Sequence, residues 1–397
     1  MLRKLFLERI FDAAYMRRWN DKICPVELRE LDKQAHKMVI AFIVGKLQET
    51  ENNKVDWLKV IKGGIFEFLQ RIILTDIKPE IFHKIEDNER QYRELNKWVY
   101  EQLVPVIGPL GTRFSRDFRE YFSNAVTHDL SRQILHAAHF QATKWEFDII
   151  ERANPQGYEI DKIKHSLEAQ QERYYDLEGV KTLALSRKLQ SFIDLCGELR
   201  FQLRWSHIGH MVPKTSVLGH QFIVAILSYI CSEDLGACSR RCYNNFFTGL
   251  FHDLPEVLTR DIIHPVKSSV KGLDSMIKEY EAKQMKDEVY PLLPKGWLSE
   301  IRLFTEDEFS NVVIKDGKVR SVLSSEMSQY NEDAFSPRDG EIIQANDQLA
   351  AFLEATFAIQ NGVNHPELKA ATEKLRKAYA GKSVEGIDFG SVYADFS

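Results

Sequence analysis

Apolar residues recur at helical spacing along most of the chain. Two stripes show the pattern clearly: Val39, Ile40, Ile43 and Leu47, and Phe222, Ile223, Ile226, Leu227 and Ile230. Steps of three and four residues place such side chains on one face of an α-helix. Alternating patterns are scarce; in one of them, over 312–319, Asp316-Gly317 separates two short apolar runs and favours a hairpin. We therefore predict an all-α protein with a small β-hairpin.

The two halves of the chain resemble each other in four places that occur in the same order. Residues 64–77 match 249–262 at an offset of 185, with five of 14 positions identical. The other matching pairs are His36 with His220, Arg18-Trp19 with Arg204-Trp205, and 134–139 with 342–347 at the larger offset of 208. That larger offset fits an insertion that holds the hairpin. The pattern predicts an internal duplication.

The repeat suggests a division of the chain into parts. We expect a first helical bundle over 1–155 and a second over 199–381. A polar helical connector over 156–198 and a C-terminal tail over 382–397 account for the rest.

Four potential metal ligands occur in the second half, each within a helical pattern. They are His220, the adjacent His252 and Asp253, and Asp347. Two imidazoles and two carboxylates form a mixed nitrogen and oxygen set, which suits Mn, Fe, Co, Ni or Zn better than Mg. One divalent cation held there could lower the pKa of water and polarise a phosphoryl oxygen.

Other polar residues accompany these ligands. Glu256 shares a helix face with His252 and Asp253 and could manage protons. Arg204 could hold a phosphate through paired donors, and Trp205 could form the wall of a sugar or base pocket. Further candidates downstream are Asp261 and Lys267.

These motifs resemble the HD-domain metal-dependent phosphohydrolases. The resemblance rests on Arg-Trp, then His, then His-Asp-x-x-Glu-Val-Leu-x-x-Asp-Ile-x-x-Pro-Val-Lys, then a distant Asp, and it covers roughly Leu199–Phe357. Within that family the pattern is most similar to the 5′-deoxynucleotidases. The first half resembles the family only as a degenerate copy.

The resemblance implies an α-helical fold, one divalent ion on His220, His252, Asp253 and Asp347, and removal of phosphate from deoxynucleoside 5′-monophosphates. It implies that Glu256 activates water or moves a proton, that Arg204 orients phosphate and that Trp205 disfavours a ribose 2′-hydroxyl. Asp261 and His264 fall in the stretch that lines the substrate pocket. The sequence departs from the family pattern at Arg260 and at Leu218-Gly219, where relatives carry a small residue and an acidic residue.

In the first half, the positions aligned with the ligands carry other side chains. Phe68 stands where Asp253 stands, and Arg71 stands where Glu256 stands, so we expect no catalysis there. A three-ligand site on His36, Glu67 and His139, and an anion on Arg18 and Arg71, are open alternatives. We favour a packing partner that replaces the second subunit of a dimer, which makes the chain a monomeric pseudo-dimer or a homodimer.

Charge and cysteine content narrow the classes of partner. Fifty-three Lys and Arg against 58 Asp and Glu give a net charge of −5, which argues against coating a nucleic-acid polymer. No apolar run approaches the roughly 18 residues of a membrane span, and the N-terminus does not resemble a signal peptide. Five cysteines without a Cys-x-x-Cys pair favour reduced thiols and a cytoplasmic location.

The expected partner is therefore a small nucleotide substrate. Two other functions remain open at this stage. The same site could act on deoxynucleoside triphosphates or another phosphoester, or the protein could be a non-catalytic module that senses nucleotides or binds a partner.

Overall fold

The computed structural model describes residues 2–49, 53–75, 77–123, 129–260 and 270–396. The chain forms two compact units, Met1–Lys181 and Thr182–Ser397. The boundary falls inside one helix, and the four-part division expected from the sequence stays a prediction. The all-α fold class is confirmed, since helices dominate both units.

Nine helices are described up to the unit boundary, and the last of them crosses it. They are α1 (Lys4–Phe11), α2 (Glu30–Gln48), α3 (Trp57–Leu74), α4 (Pro79–Glu86), α5 (Glu89–Ile107), α6 (Thr112–Ser123), α7 (Leu130–Ala153), α8 (Ile160–Tyr174) and α9 (Glu178–Leu185). The core surrounds α2, which packs against α3 and α7. Residues 31–45 of α2 are all buried, so this helix is covered on every face rather than along one stripe.

The second unit continues with nine more described helices. They are α10 (Arg187–Glu198), α11 (Val217–Asp234), α12 (Ser239–Phe251), α13 (Glu256–Thr259), α14 (Leu273–Gln284), α15 (Leu298–Thr305), α16 (Gly340–Gln360), α17 (Pro366–Tyr379) and α18 (Phe389–Ala394). Here α11 is the central helix and packs against α12 and α16. The Ser216 side chain caps α11 by accepting a hydrogen bond from the Gly219 amide at 2.9 Å.

The predicted hairpin is present between α15 and α16. The strand Val312–Lys315 pairs antiparallel with the strand Lys318–Ser321. Asp316 and Gly317 connect them with φ angles of 55° and 71°, the left-handed values that a tight two-residue hairpin turn needs. Two further ribbons were not predicted, because their strands are only two residues long and leave no readable alternation: Arg17–Arg18 with Leu28–Arg29, and Ser383–Val384 with Ile387–Asp388.

The structure also bears on membrane spans and on the state of the cysteines. Among the described residues, no helix combines the length and apolar character needed to cross a membrane. All five cysteines are free thiols.

Candidate metal centre

Three of the sequence-predicted ligands converge in the second unit. His220 lies in the first turn of α11, His252 directly follows α12, and Asp347 lies two turns into α16. One ligand atom from each of the three lies within 4.8 Å of the others. Three helices packed against one another thus bring together side chains that are up to 127 residues apart in sequence.

Both imidazoles are buried, whereas the acid faces an opening. His220 Nε2 lies 2.8 Å from Asp347 Oδ1, and His252 Nε2 lies 3.9 Å from the same oxygen. The Asp347 side chain is 25% exposed, so the centre can be reached from solvent.

The fourth predicted ligand, Asp253, lies beside this group. Its Oδ2 is 3.1 Å from His252 Nε2 and 3.9 Å from Arg204 Nη1. Gln221 on α11 holds the backbone here: with its amide oxygen turned toward the loop, it accepts hydrogen bonds from the amides of Asp253 at 3.2 Å and Leu254 at 3.1 Å.

A close approach of α11 and α12 sets the distance between the two imidazoles. A Cβ atom added to Gly249 would stand 2.7 Å from the Ala225 Cα, closer than real Cβ contacts come. The Gly249 carbonyl also accepts a hydrogen bond from His252 Nδ1 at 2.8 Å, with that nitrogen assigned as the donor. The ring is thereby fixed with Nε2 pointing toward Asp347 and Asp253.

A buried carboxylate that the sequence analysis did not assign organises the centre. Glu354, on α16, is 1% exposed. Its Oε1 lies 3.0 Å from His220 Nδ1, and its Oε2 accepts from Arg204 Nε at 3.0 Å. Trp205 Nε1 donates to the same Oε2 at 2.9 Å. A sequence signal existed, because Glu354 interrupts an apolar stretch two turns after Asp347.

The charges at this centre shift the pKa values of its members. Burial opposes ionisation of Glu354, but Arg204 and His220 outweigh it and lower the pKa of Glu354 to about 2. Burial also disfavours a charged His252, yet Asp253 and Asp347 overcome this and raise its pKa to about 9. The carboxylates thus create a site that attracts positive charge.

The other predicted site residues fall into two groups. Arg204 and Trp205 lie next to the centre through Glu354, and Trp205 adopts a left-handed φ of 56°. The Trp205 ring also packs on a small core cluster of Ile208, Met211, Ala355, Ala358 and Leu368. Glu256 is buried and begins α13, with its amide bonded to the Asp253 carbonyl at 3.0 Å. Asp261, His264 and Lys267 lie outside the described residues.

A second feature missed from the sequence is the loop after α15. The Phe309 ring lies 6.1 Å from the His252 ring. Burial raises the pKa of the neighbouring Glu308 carboxyl, which His252 only partly offsets. No motif marks this loop, because its position beside the centre depends on how α15 packs against α12.

The first unit has different side chains at the positions aligned with the metal centre of the second unit. Lys33 Nζ lies 2.6 Å from His139 Nδ1, and Lys37 Nζ donates to Glu67 at 2.6 Å. Phe68 is fully buried. Among the described residues, no metal-ligand group occurs in this unit.

One interaction pattern of the second unit recurs in the first. Arg18 Nε and Trp19 Nε1 both donate to Glu146 Oε2, at 2.8 and 2.9 Å. Trp19 has a left-handed φ of 55°, nearly the value found at Trp205.

Comparison with known proteins identifies the part of the chain that contains this centre. Residues 196–376 match the model of the HD domain family. No curated protein and no solved structure matches the chain. HD domains are all-α and bind divalent metals, in agreement with the fold and with the group formed by His220, His252 and Asp347. Residues 196–376 are therefore similar to HD domains, whose members are generally metal-dependent hydrolases.

Proposed function

We propose that this protein is a divalent-metal-dependent phosphohydrolase that removes the 5′-phosphate from deoxynucleoside monophosphates. The observation that carries the proposal is the convergence of His220, His252 and Asp347 beside Arg204, within a segment that matches the HD domain. The two imidazoles and the carboxylates could hold one divalent ion, with Mn, Co, Fe, Ni and Zn as candidates.

The residues present fit such an ion. His252 Nε2 is buried and makes no hydrogen bond of good geometry with a described residue, although two carboxylates lie nearby. A metal ligand that is oriented through its other nitrogen has this arrangement. Glu354 orients His220 in the same way, through Nδ1.

The ion, when bound, supplies Lewis acidity and lowers the pKa of water. The side chains of this protein bind and orient the substrate around it. Arg204 is held at Nε by Glu354, which directs its terminal nitrogens toward Asp253 and toward the phosphate that we place there. Trp205, fixed by the same carboxylate, forms one wall for the sugar.

Proton transfer is assigned to Glu256 and Asp261. Glu256 is buried at the start of a helix that follows the histidine–aspartate pair. A carboxylate in that position can accept a proton from water or donate one to the leaving oxygen. Asp261 and His264 complete the proposed substrate pocket, as the family resemblance implies, and Lys267 is a further substrate-binding candidate.

We also infer that the first unit is a non-catalytic copy of the second. The left-handed tryptophan and the buried glutamate that accepts from an Arg-Trp pair occur in both, at offsets of 186 and 208, as in the sequence alignment. In the first unit, Arg71 brings a fixed positive charge to the position that Glu256 has in the second.

Activity measurements can test the proposal directly. Full-length protein with Mn²⁺, Co²⁺ or Mg²⁺ is incubated with deoxy- and ribonucleoside monophosphates and with deoxynucleoside triphosphates, and phosphate species are measured. We expect orthophosphate from deoxynucleoside monophosphates, with loss of turnover in His252→Ala and Asp253→Ala and after chelation. Glu367→Gln, an exposed change in the same unit, serves as the control.

Each other outcome identifies a different function. Release of triphosphate would move the substrate to deoxynucleoside triphosphates. Nucleotide binding without turnover under every metal would favour a sensing module. Undiminished turnover in both ligand variants would refute the site assignment.

A further inference from the structure

The first unit contains an open cavity with Arg71, the residue aligned with Glu256 of the second unit, on its wall. It has a volume of about 120 Å³ and is lined by Met16, Arg17, Asn20, Glu30, Arg71 and Thr75. A single buried water needs only ~10–15 Å³ of such space, so the cavity has room for a tetrahedral anion.

Glu30, on the cavity wall, belongs to a network of buried cations and carboxylates. Arg18 donates to Glu30 at 2.7 Å and to Glu146 at 2.8 Å, so one arginine satisfies two buried carboxylates. Two lysines of α2 are fully buried in the same region: Lys33, beside His139, and Lys37, beside Glu67.

The guanidinium of Arg71 is only partly neutralised by its ion pair in this network. Its Nε lies 3.4 Å from Glu30, whose carboxylate is already bonded to Arg18 and to Gln34. Among the described residues, no other acceptor contacts the Arg71 guanidinium, and its side chain is 25% exposed at the cavity wall. A half-buried guanidinium in this situation is a ready donor pair for a phosphate.

The pKa of a buried base is shifted in opposite directions in the two units. Burial and the neighbouring Arg18 hold the pKa of the Lys33 ammonium well below its ordinary value, because further positive charge is disfavoured there. In the second unit, the pKa of His252 is raised by carboxylates. Lys33 is therefore a weak source of positive charge, and the cations on the cavity wall are Arg17 and Arg71.

We propose that the cavity of the first unit is a non-hydrolytic binding site for a phosphate group, with Arg71 as its principal contact. Arg17 and Arg71 on the cavity wall supply the positive charge that a metal ion supplies in a hydrolytic centre, so the site needs no metal. The ligand is inorganic phosphate or a phosphomonoester such as a nucleotide. The proposal does not depend on whether the second unit hydrolyses anything.

Binding is measured on the full chain with its second-unit centre disabled. The background is His252→Ala combined with Asp253→Asn, in EDTA, so that no metal-bridged phosphate contributes. Calorimetric titrations use two probes, inorganic phosphate and thymidine 5′-monophosphate. We expect one site per chain for at least one probe, with affinity that falls as salt is added.

Variants of Arg71 show whether this is the site. Arg71→Gln should weaken binding roughly 10–100-fold, as loss of charged hydrogen bonds implies, and Arg71→Lys should weaken it less. Arg90→Gln is the matched control, because Arg90 is an exposed arginine of the same unit that pairs with Glu94. Thermal unfolding of each variant verifies that the fold is intact.

The titrations show whether the ligand is free phosphate or a nucleotide, and whether the proposed site exists. Tighter binding of the nucleotide than of phosphate identifies a phosphomonoester as the ligand, and equal affinities identify phosphate itself. No saturable binding of either probe, equal affinity in Arg71→Gln and the background, or an equal loss in Arg90→Gln would overturn the proposal.

Discussion

Replacing Glu354 with glutamine removes one negative charge from the metal centre while nearly preserving the side-chain volume. The carboxylate now accepts hydrogen bonds at two oxygens from His220, Arg204 and Trp205. A glutamine has one acceptor oxygen, and its amide group would face at least one of these donors. The substitution therefore leaves a buried donor unsatisfied and weakens a buried ion pair.

The structure sets the size of the expected effect. An unsatisfied buried polar group costs about 1–3 kcal/mol, and breaking a fully buried ion pair costs about 3–5 kcal/mol. Glu354 is 1% exposed but the Arg204 side chain is 14% exposed, so water can replace part of the loss on the arginine. We expect the free energy of unfolding to fall by about 2–4 kcal/mol.

Metal affinity should fall as well. Glu354 orients His220 through Nδ1, and removal of such a partner of a metal-binding histidine typically costs about 10–100-fold in affinity. Titration calorimetry with Mn²⁺ measures the metal affinity, and urea unfolding of the same preparation measures the free energy of unfolding. Glu367→Gln is the control, since this exposed pair with His207 should change unfolding by less than about 0.5 kcal/mol.

Two results would refute the reasoning. Unchanged Mn²⁺ affinity in Glu354→Gln would mean that the carboxylate does not orient a metal ligand. A loss of stability no larger than that of Glu367→Gln would mean that the three contacts of Glu354 do not stabilise the fold.

Two other predictions concern the second unit. Gly249→Ala should destabilise the protein by about 1–3 kcal/mol and weaken Mn²⁺ binding, because the new Cβ meets the α11 backbone. The control is Gly296→Ala, whose Cβ meets no atom within 4 Å and which should change neither stability nor binding. Urea unfolding measures the stability, and calorimetry measures Mn²⁺ binding. Glu385, buried and bonded to Arg241 at 2.9 Å, has its pKa raised to about 8 by burial and by Asp339. A raised carboxyl pKa means that its stabilising contribution is present below about pH 4.5 and is lost as pH rises through 8. The stability of the natural protein relative to Glu385→Gln should therefore fall between pH 5 and pH 9 in urea unfolding, and a constant or rising difference would contradict this.

The all-α class was readable from the sequence because the apolar spacing is helical over long segments. The hairpin was readable because Asp316-Gly317 demands a particular turn. The ligand pattern of His220, His252 and Asp347 was recognised from motif order, although only packing of three helices shows that these side chains meet.

The role of Glu354 and the burial of two lysines of α2 depend on long-range contacts that no local sequence pattern shows. Glu354 has its role only because Arg204 and Trp205, about 150 positions earlier, turn back onto α16. Likewise, the buried polar network of the first unit includes two lysines of α2, which a sequence pattern would place on a solvent-exposed face. Burial of both lysines follows from the helices that pack around α2, not from their own spacing.

The backbone contact at Gly249 has a consequence for how an ion would enter. Because α11 and α12 touch through Gly249 and Ala225 rather than through a shared ligand, the two imidazoles are preorganised in the absence of any ion. Loading would then cost little conformational entropy, unlike in small zinc modules that fold only around their metal. A demetallated preparation should accordingly keep its structure and recover its affinity on simple re-addition of the cation.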